Sequence, residues 1–239
     1  MKSLYKYKSL SGKGLKYFLD IVEDSQIYFP EKSILNDPFE CYGLPKIYLL
    51  TAGSSFYSCR HQHHGIVQEI MDEYRILSLS STPDNVLMWA HYADQCSGVC
   101  IEFDYSTPFS TAKPVQYKNL DTLEEMTQPG LEVIEELVEQ SFYCKNKDWE
   151  YENEYRIVKK SKEKYINFEP CKIKSIILGC KIKKEHEEII LKVCREKNIQ
   201  VYYAVICNLD YKIYIISPEG YRKMTYYDNW DDTMKYIKK

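Results

Sequence analysis

Carboxylates recur at every second residue in Trp149-Glu150-Tyr151-Glu152-Asn153-Glu154-Tyr155-Arg156, inside an aromatic, β-prone run. Read as a strand, this run sets Glu150, Glu152 and Glu154 on one face. Three acids on one side repel one another, and such an arrangement is kept where a cation, a sugar or a developing positive charge answers it. The competing reading is an edge strand whose glutamates discourage aggregation, with Arg156 pairing one of them. The aromatics Trp149, Tyr151 and Tyr155 favour a site, because they would wall the opposite face and hold the strand against a core.

Two further constellations carry chemistry. Near the N-terminus, Lys6 and Tyr7 stand at the end of Leu4-Tyr5-Lys6-Tyr7, where a lysine can grip a phosphate or a ribose hydroxyl. Downstream, Asn36-Asp37-Pro38-Phe39-Glu40 has turn composition, and Asn36 and Asp37 read either as ligand contacts or as an Asx turn closed by Pro38. In the middle of the chain, Ser78-Leu79-Ser80-Ser81-Thr82 hands a strand over to a helix carrying Trp89, His91 and Tyr92. Hydroxyls at such a junction can fix a ligand, with Ser80 and Ser81 as the candidates, while Ser81 or Thr82 can instead cap a helix that starts at Pro83. His91 is a candidate acid or base, and Trp89 and Tyr92, three apart, can equally be core. Cys59, His61, His63 and His64 lack the second spaced pair of a tetrahedral zinc site. No metal is expected.

These groups need elements to position them. Strands are expected at Leu4–Tyr7, Gln26–Phe29, Arg75–Ser80, Gly98–Phe103, Val115–Tyr117, Ser175–Gly179, Gln200–Ile206 and Tyr211–Ile216, the last two as a hairpin. Helical spacing marks Lys13–Glu23, Ile66–Glu73, Asn85–Ala93, Leu131–Phe142 and Lys184–Lys197. The fold class expected is α+β, with a mixed, mostly antiparallel sheet flanked by helices and a cleft between strands. Residues 1–239 read as a single domain, with a βαβ subregion at 171–239.

Composition narrows the partners. The net charge of −3, with acids and bases interspersed, gives no field that selects nucleic acid or an anionic membrane. No segment has the roughly twenty apolar residues of a membrane span, nor the start the apolar run of a secretion signal, so a cytoplasmic location is expected. The nine scattered cysteines fit reduced thiols in such a compartment, and neither Cys96 nor Cys100 reads as a catalytic thiol.

In the order of its motifs the chain resembles a bacterial family of unknown function. These are the Tyr-Lys-Tyr start, Asn-Asp-Pro-Phe-Glu, Leu-Met-Trp-Ala-His-Tyr-Ala followed by Gly-Val-Cys-Ile-Glu-Phe, and Trp-x-Tyr-Glu-x-Glu-Tyr-Arg, spanning Leu4 to about Val158. It also resembles the ADP-ribosyltransferase superfamily. That superfamily places a His or Arg on a first strand, a Ser-Thr-Ser-like stretch before a helix, and Glu-x-Glu later. Here Lys6, Ser80-Ser81-Thr82 and Glu152-Asn153-Glu154 would stand at those positions, Lys6 being a departure because it lacks the two-pronged contact of arginine.

The resemblance implies an ADP-ribosyltransferase-like fold acting on NAD, as a transferase or an NAD glycohydrolase, in the setting of a bacterial toxin or phage-defence effector. It assigns Glu154 to the oxocarbenium-like ribose, Glu152 to the acceptor nucleophile, Ser80 to the nicotinamide ribose and Lys6 to the adenosine ribose or pyrophosphate. Tyr92 or Tyr28 would stack on nicotinamide. Protein, nucleic acid or water is left open as the acceptor, and so is a partner that inhibits the activity; no membrane is expected. The alternatives are a metal-dependent nuclease using Asp37, Glu40 and the glutamates, or a non-catalytic binding module whose acidic strand meets a basic partner.

Overall fold

The computed structural model describes residues 2–41, 46–48, 69–118, 125–127 and 131–224. The chain opens with β1 (Ser3–Lys8), α1 (Gly14–Glu23), β2 (Gln26–Tyr28), β3 (Lys46–Tyr48) and β4 (Tyr74–Ser80). It continues through α2 (Val86–Tyr92), β5 (Val99–Asp104), β6 (Lys113–Pro114), β7 (Gln116–Lys118), β8 (Glu125–Thr127) and α3 (Leu131–Ser141). Then come β9 (Cys144–Asn146), β10 (Glu154–Lys160), β11 (Tyr165–Asn167) and β12 (Ile173–Leu178). The last described elements are α4 (Lys184–Glu196), β13 (Gln200–Cys207), β14 (Lys212–Ile216) and α5 (Pro218–Met224).

Eight strands form one sheet in the order β14-β13-β12-β5-β1-β4-β10-β6. Every neighbouring pair in it is antiparallel except β12 and β13, which α4 joins as a parallel crossover. The fold is a mixed α/β single domain built on this mostly antiparallel sheet. Strand alternation splits the apolar residues between the faces. Leu77 and Leu79 of β4 join Leu4, Ile101, Phe103 and Ile157 under α1 and α4, which contribute Phe18, Ile21, Val22, Ile190 and Val193. On the other face, Trp89 of α2 packs with Tyr7, Cys100, Ile177 and Ala204. Ile76 packs with Val138 and Phe142 at the far end of that face.

One seam in the sheet is thin. β5 pairs with β1 from Ser3 opposite Asp104 to Lys8 opposite Val99, and β10 pairs with β4 from Glu154 opposite Ser80 to Lys160 opposite Tyr74. Between β1 and β4 one pair is made, Tyr5 opposite Ser80. Past it the Lys6 ammonium donates to the carbonyl of Ser78 at 2.7 Å, so a side chain satisfies a part-buried acceptor that a ladder bond would otherwise take.

Two expectations are corrected. The acidic run is not a strand throughout: Lys147–Glu152 is a 3-10 helix capped by the Asn146 side chain, Asn153 turns left-handed at φ 45°, and β10 begins only at Glu154. Asparagine tolerates that conformation because its short polar side chain bonds locally. Glu150 consequently faces solvent, away from the other two acids. The start of α2 also differs. Asn85 is the cap, accepting from the amides of Leu87 and Met88, while the carbonyl of Pro83 receives the Trp89 indole N–H at 2.7 Å. The Cys59-to-His64 cluster and residues 66–68 lie outside the described residues. Among the described residues, no helix is long and apolar enough to cross a membrane.

Candidate functional site

A cavity of about 230 Å³ opens at the thin seam. Its floor comes from β1 (Tyr5, Lys6, Tyr7) and β4 (Ser78, Leu79, Ser80), and its walls include Asn36, Tyr92, Lys145 and Arg156. Glu40, Glu152 and Glu154 also face it. Because Tyr5, Ser80 and Glu154 are direct cross-strand partners, they share one face of three consecutive strands.

Arg156 organises the acids. It is fully buried, and its guanidinium donates Nε to Glu154 Oε1 at 2.8 Å and Nη2 to Glu154 Oε2 at 2.9 Å. Its Nη1 donates to Glu40 Oε1 at 2.6 Å and to the carbonyl of Phe142 at 2.7 Å. Lys145, on β9, bridges the two glutamates, lying 2.5 Å from Glu152 Oε2 and 3.3 Å from Glu154 Oε2, with Trp149 stacked over its ammonium at 4.7 Å. The Tyr92 hydroxyl donates to Glu152 Oε1. The backbone N–H of Glu154 donates to the Tyr117 hydroxyl at 2.8 Å.

The two glutamates are therefore unlike. Burial alone would raise Glu154, yet Arg156 and Lys145 hold it at about 2, so it stays ionised. Burial and the Glu154 charge raise Glu152 above the ordinary carboxylate range, with Lys145 and Tyr92 offsetting part of that rise. Burial lowers Lys6 to about 8, Lys8 adding to the effect while Glu154 and Glu152 oppose it. Burial also lifts Glu40 in spite of Arg156, and one of its oxygens, Oε2, has no partner among the described residues. With Lys6, Lys145 and Arg156 set against Glu40, Glu152 and Glu154, the lining is balanced in sign and strongly polarised.

Of the residues singled out from sequence, the cavity gathers Lys6, Tyr7, Asn36, Glu40, Ser80, Tyr92, Glu152 and Glu154. Ser80 takes a positioning part: its hydroxyl donates to the carbonyl of Glu152 at 2.7 Å and accepts from the Thr82 amide at 3.3 Å, tying β4 to the turn that presents Glu152. Ser81, Asp37, Trp89 and His91 do not line it. Asp37 is buried and closes an Asx turn onto the Phe39 amide at 2.8 Å. Trp89 is core, edge-on to Tyr7 with ring centroids 5.3 Å apart. His91 points outward beside Tyr151, and Ser81 borders a separate groove with Lys174 and Tyr202. Sequence reasoning missed Lys145, whose only local signal is a lone lysine within a short strand ahead of the acidic turn. It also missed Glu40 as the second partner of Arg156, a contact 116 residues apart in the chain.

Among the described residues, no three His, Cys, Asp or Glu side chains group as a metal ion would require. No curated protein and no solved structure matches the chain. Residues 88–157, which carry Tyr92, Lys145, Glu152, Glu154 and Arg156 but neither Lys6 nor Ser80, are similar to the family described as "Protein of unknown function (DUF2971)".

Proposed function

We propose that the cleft binds NAD and cleaves the bond between nicotinamide and its ribose, passing the ADP-ribosyl group to water or to a macromolecular acceptor. The observation that carries this reading is that Lys6, Ser80, Glu152 and Glu154 line one cavity, on neighbouring strands β1, β4 and β10 and the turn between β9 and β10. Their order in the chain is the order in which the ADP-ribosyltransferase superfamily sets its cation, its serine stretch and its glutamates.

The residues divide the chemistry by charge. When the C–N bond breaks, its electron pair leaves with nicotinamide and C1 of the ribose becomes oxocarbenium-like. Glu154, ionised at any physiological pH, offers a fixed anion to that charge, and the two-pronged Arg156 contact holds it in place without reorganisation. Glu152, with its raised affinity for protons, takes the proton of the attacking water or acceptor. Lys6 keeps further donors beside its bond to Ser78 and meets a phosphate with them.

The test is nicotinamide release from NAD, with label transfer followed in cell extract. Wild type should release nicotinamide, Glu154→Gln should lower kcat by roughly 100-fold or more, and Lys6→Met should raise KM by about 10-fold or more, the worth of one charge-assisted hydrogen bond. Circular dichroism checks that both variants fold. No release by wild type with any extract, or a folded Glu154→Gln with unchanged kcat, would overturn the proposal.

A further inference from the structure

Away from the cleft, two thiols meet. Cys96 lies in the turn after α2, and Cys180 follows β12. Their backbones run side by side: the amide of Lys181 donates to the carbonyl of Cys96 at 2.9 Å and that of Gly179 to the carbonyl of Gly98 at 3.0 Å. The approach is so close that a Cβ on Gly179 would sit 2.2 Å from the Cys96 carbonyl oxygen, which makes glycine obligatory there. The side chains of Cys96 and Cys180 pack into the same cluster, with Trp89 and Ile177. Cys96 is buried while Cys180 is partly open to solvent.

We propose that Cys180 and Cys96 form a peroxide-reactive dithiol, Cys180 as the attacking sulfur and Cys96 as the resolving one. The Cys180 thiolate attacks a hydroperoxide: an S–O bond forms, the O–O bond breaks, and the leaving alkoxide or hydroxide takes a proton from water. The sulfur of Cys96 then attacks that of Cys180, forming the S–S bond as the S–O bond breaks, and hydroxide departs with the Cys96 proton as water. Two electrons pass from the two sulfurs to the peroxide, and a thiol reductant returns the pair to the dithiol.

Three features separate this pair from the other cysteines. Hydrogen bonding from Cys96, aided by the charge of Lys181, brings Cys180 down to about 7, whereas burial pushes Cys41 and Cys194 up to about 12. The groups facing Cys180 are Cys96, Lys181 and, from α5, Tyr221. The position of Cys96 is also set by the fold. Asp94, Gln95 and Cys96 are three successive left-handed residues, with φ of 52°, 53° and 70°, a conformation that persists only where the surroundings dictate it. Finally, the amide of Cys96 donates to the carbonyl of Trp89 at 3.1 Å, so the resolving thiol is fastened to the end of the helix that carries Tyr92.

The experiment treats the full chain with hydrogen peroxide, blocks remaining thiols by alkylation and maps the peptides without reduction. The expected result is a linked peptide joining Cys96 to Cys180, formed ahead of any other pair and lost on reduction. In Cys96→Ser, Cys180 should instead accumulate as a sulfenic acid that dimedone traps, and in Cys180→Ser, Cys96 should remain an alkylatable thiol. Recovery of both cysteines as alkylated thiols in wild type would overturn the proposal. So would Cys180 oxidised to the sulfinic acid while Cys96 stays free.

Discussion

Replacing Arg156 by Met removes the guanidinium around which the cavity's acids are arranged. The side chain is 0% exposed and makes charged hydrogen bonds to both oxygens of Glu154 and to Oε1 of Glu40. Without it, two buried carboxylates stand near each other with Lys145 and Lys6 as the cations left in the cavity. Breaking a buried ion pair costs about 3–5 kcal/mol, because the partner charge is left uncompensated. The carboxylate gives a second figure. Lowering Glu154 from 4.5 to about 2, the joint effect of Arg156 first and Lys145 second against burial, corresponds, at about 1.36 kcal/mol per pKa unit, to on the order of 3 kcal/mol.

The predicted loss at pH 7 is therefore about 3–5 kcal/mol, or roughly 1–2.5 M in the urea midpoint at a slope of about 2–3 kcal/mol/M. The pH dependence follows from the direction of the Glu154 shift. Its folded value is depressed, so its stabilisation is complete above about pH 4.5 and is lost as pH falls toward about 2. Wild type should thus weaken over that window through this group. In Arg156→Met both acids are raised by burial, so acidification protonates and relieves them, and the gap between the two proteins should narrow. Urea unfolding followed by far-ultraviolet circular dichroism at pH 7, and in steps down to pH 3, reads both effects. Removing all three charges, as Glu40→Gln, Glu154→Gln and Arg156→Met together, should recover most of the lost stability. A loss below about 1 kcal/mol in the single variant, or a triple variant no more stable than the single, would refute the reasoning.

Tyr92→Phe removes the hydroxyl that helps keep Glu152 ionised, so the acidic limb of the pH–rate profile for nicotinamide release should move to higher pH; an unmoved limb would dissociate Glu152 from proton transfer. The alkaline limb of that profile should fall through about pH 8 as Lys6 loses its proton, and Lys6→Arg should shift that limb upward. Asn85→Ala removes the cap of α2 and the side chain's bond to the Tyr151 carbonyl at 2.9 Å, and thermal unfolding should register a loss of about 1–2 kcal/mol.

The main sheet was legible because apolar and polar residues alternate over Leu77–Ser80 of β4 and Ile101–Asp104 of β5, while β12 ends in the short apolar run Ile176-Ile177-Leu178, and the 3.6-residue spacing of α1 and α4 marks helices that bury one stripe. Convergence of the site was legible in part, since strand ends carrying Lys6, Ser80 and Glu154 belong to one sheet. Local pattern failed at the acidic run. There, alternating aromatics and carboxylates mimic a strand, while the two asparagines that matter, Asn146 as a cap and Asn153 in the left-handed region, govern the backbone. The cap of α2 was misplaced for a related reason: Ser81, Thr82 and Asn85 all have capping chemistry, and the choice fell to Asn85, whose amide also holds Tyr151. The partners that determine the charge state of the acids, Lys145 bridging Glu152 and Glu154 and Glu40 on Arg156, depend on folded contacts that no local spacing encodes.

The most direct test of the proposed chemistry is a crystal structure with a carbocyclic NAD analogue that cannot be cleaved. The analogue should lie in the seam between β1 and β4, with its nicotinamide-bearing ring against Glu154 and Glu152 and a phosphate on Lys6. An analogue bound elsewhere, or a cleft left empty at a concentration that saturates the protein in solution, would contradict it.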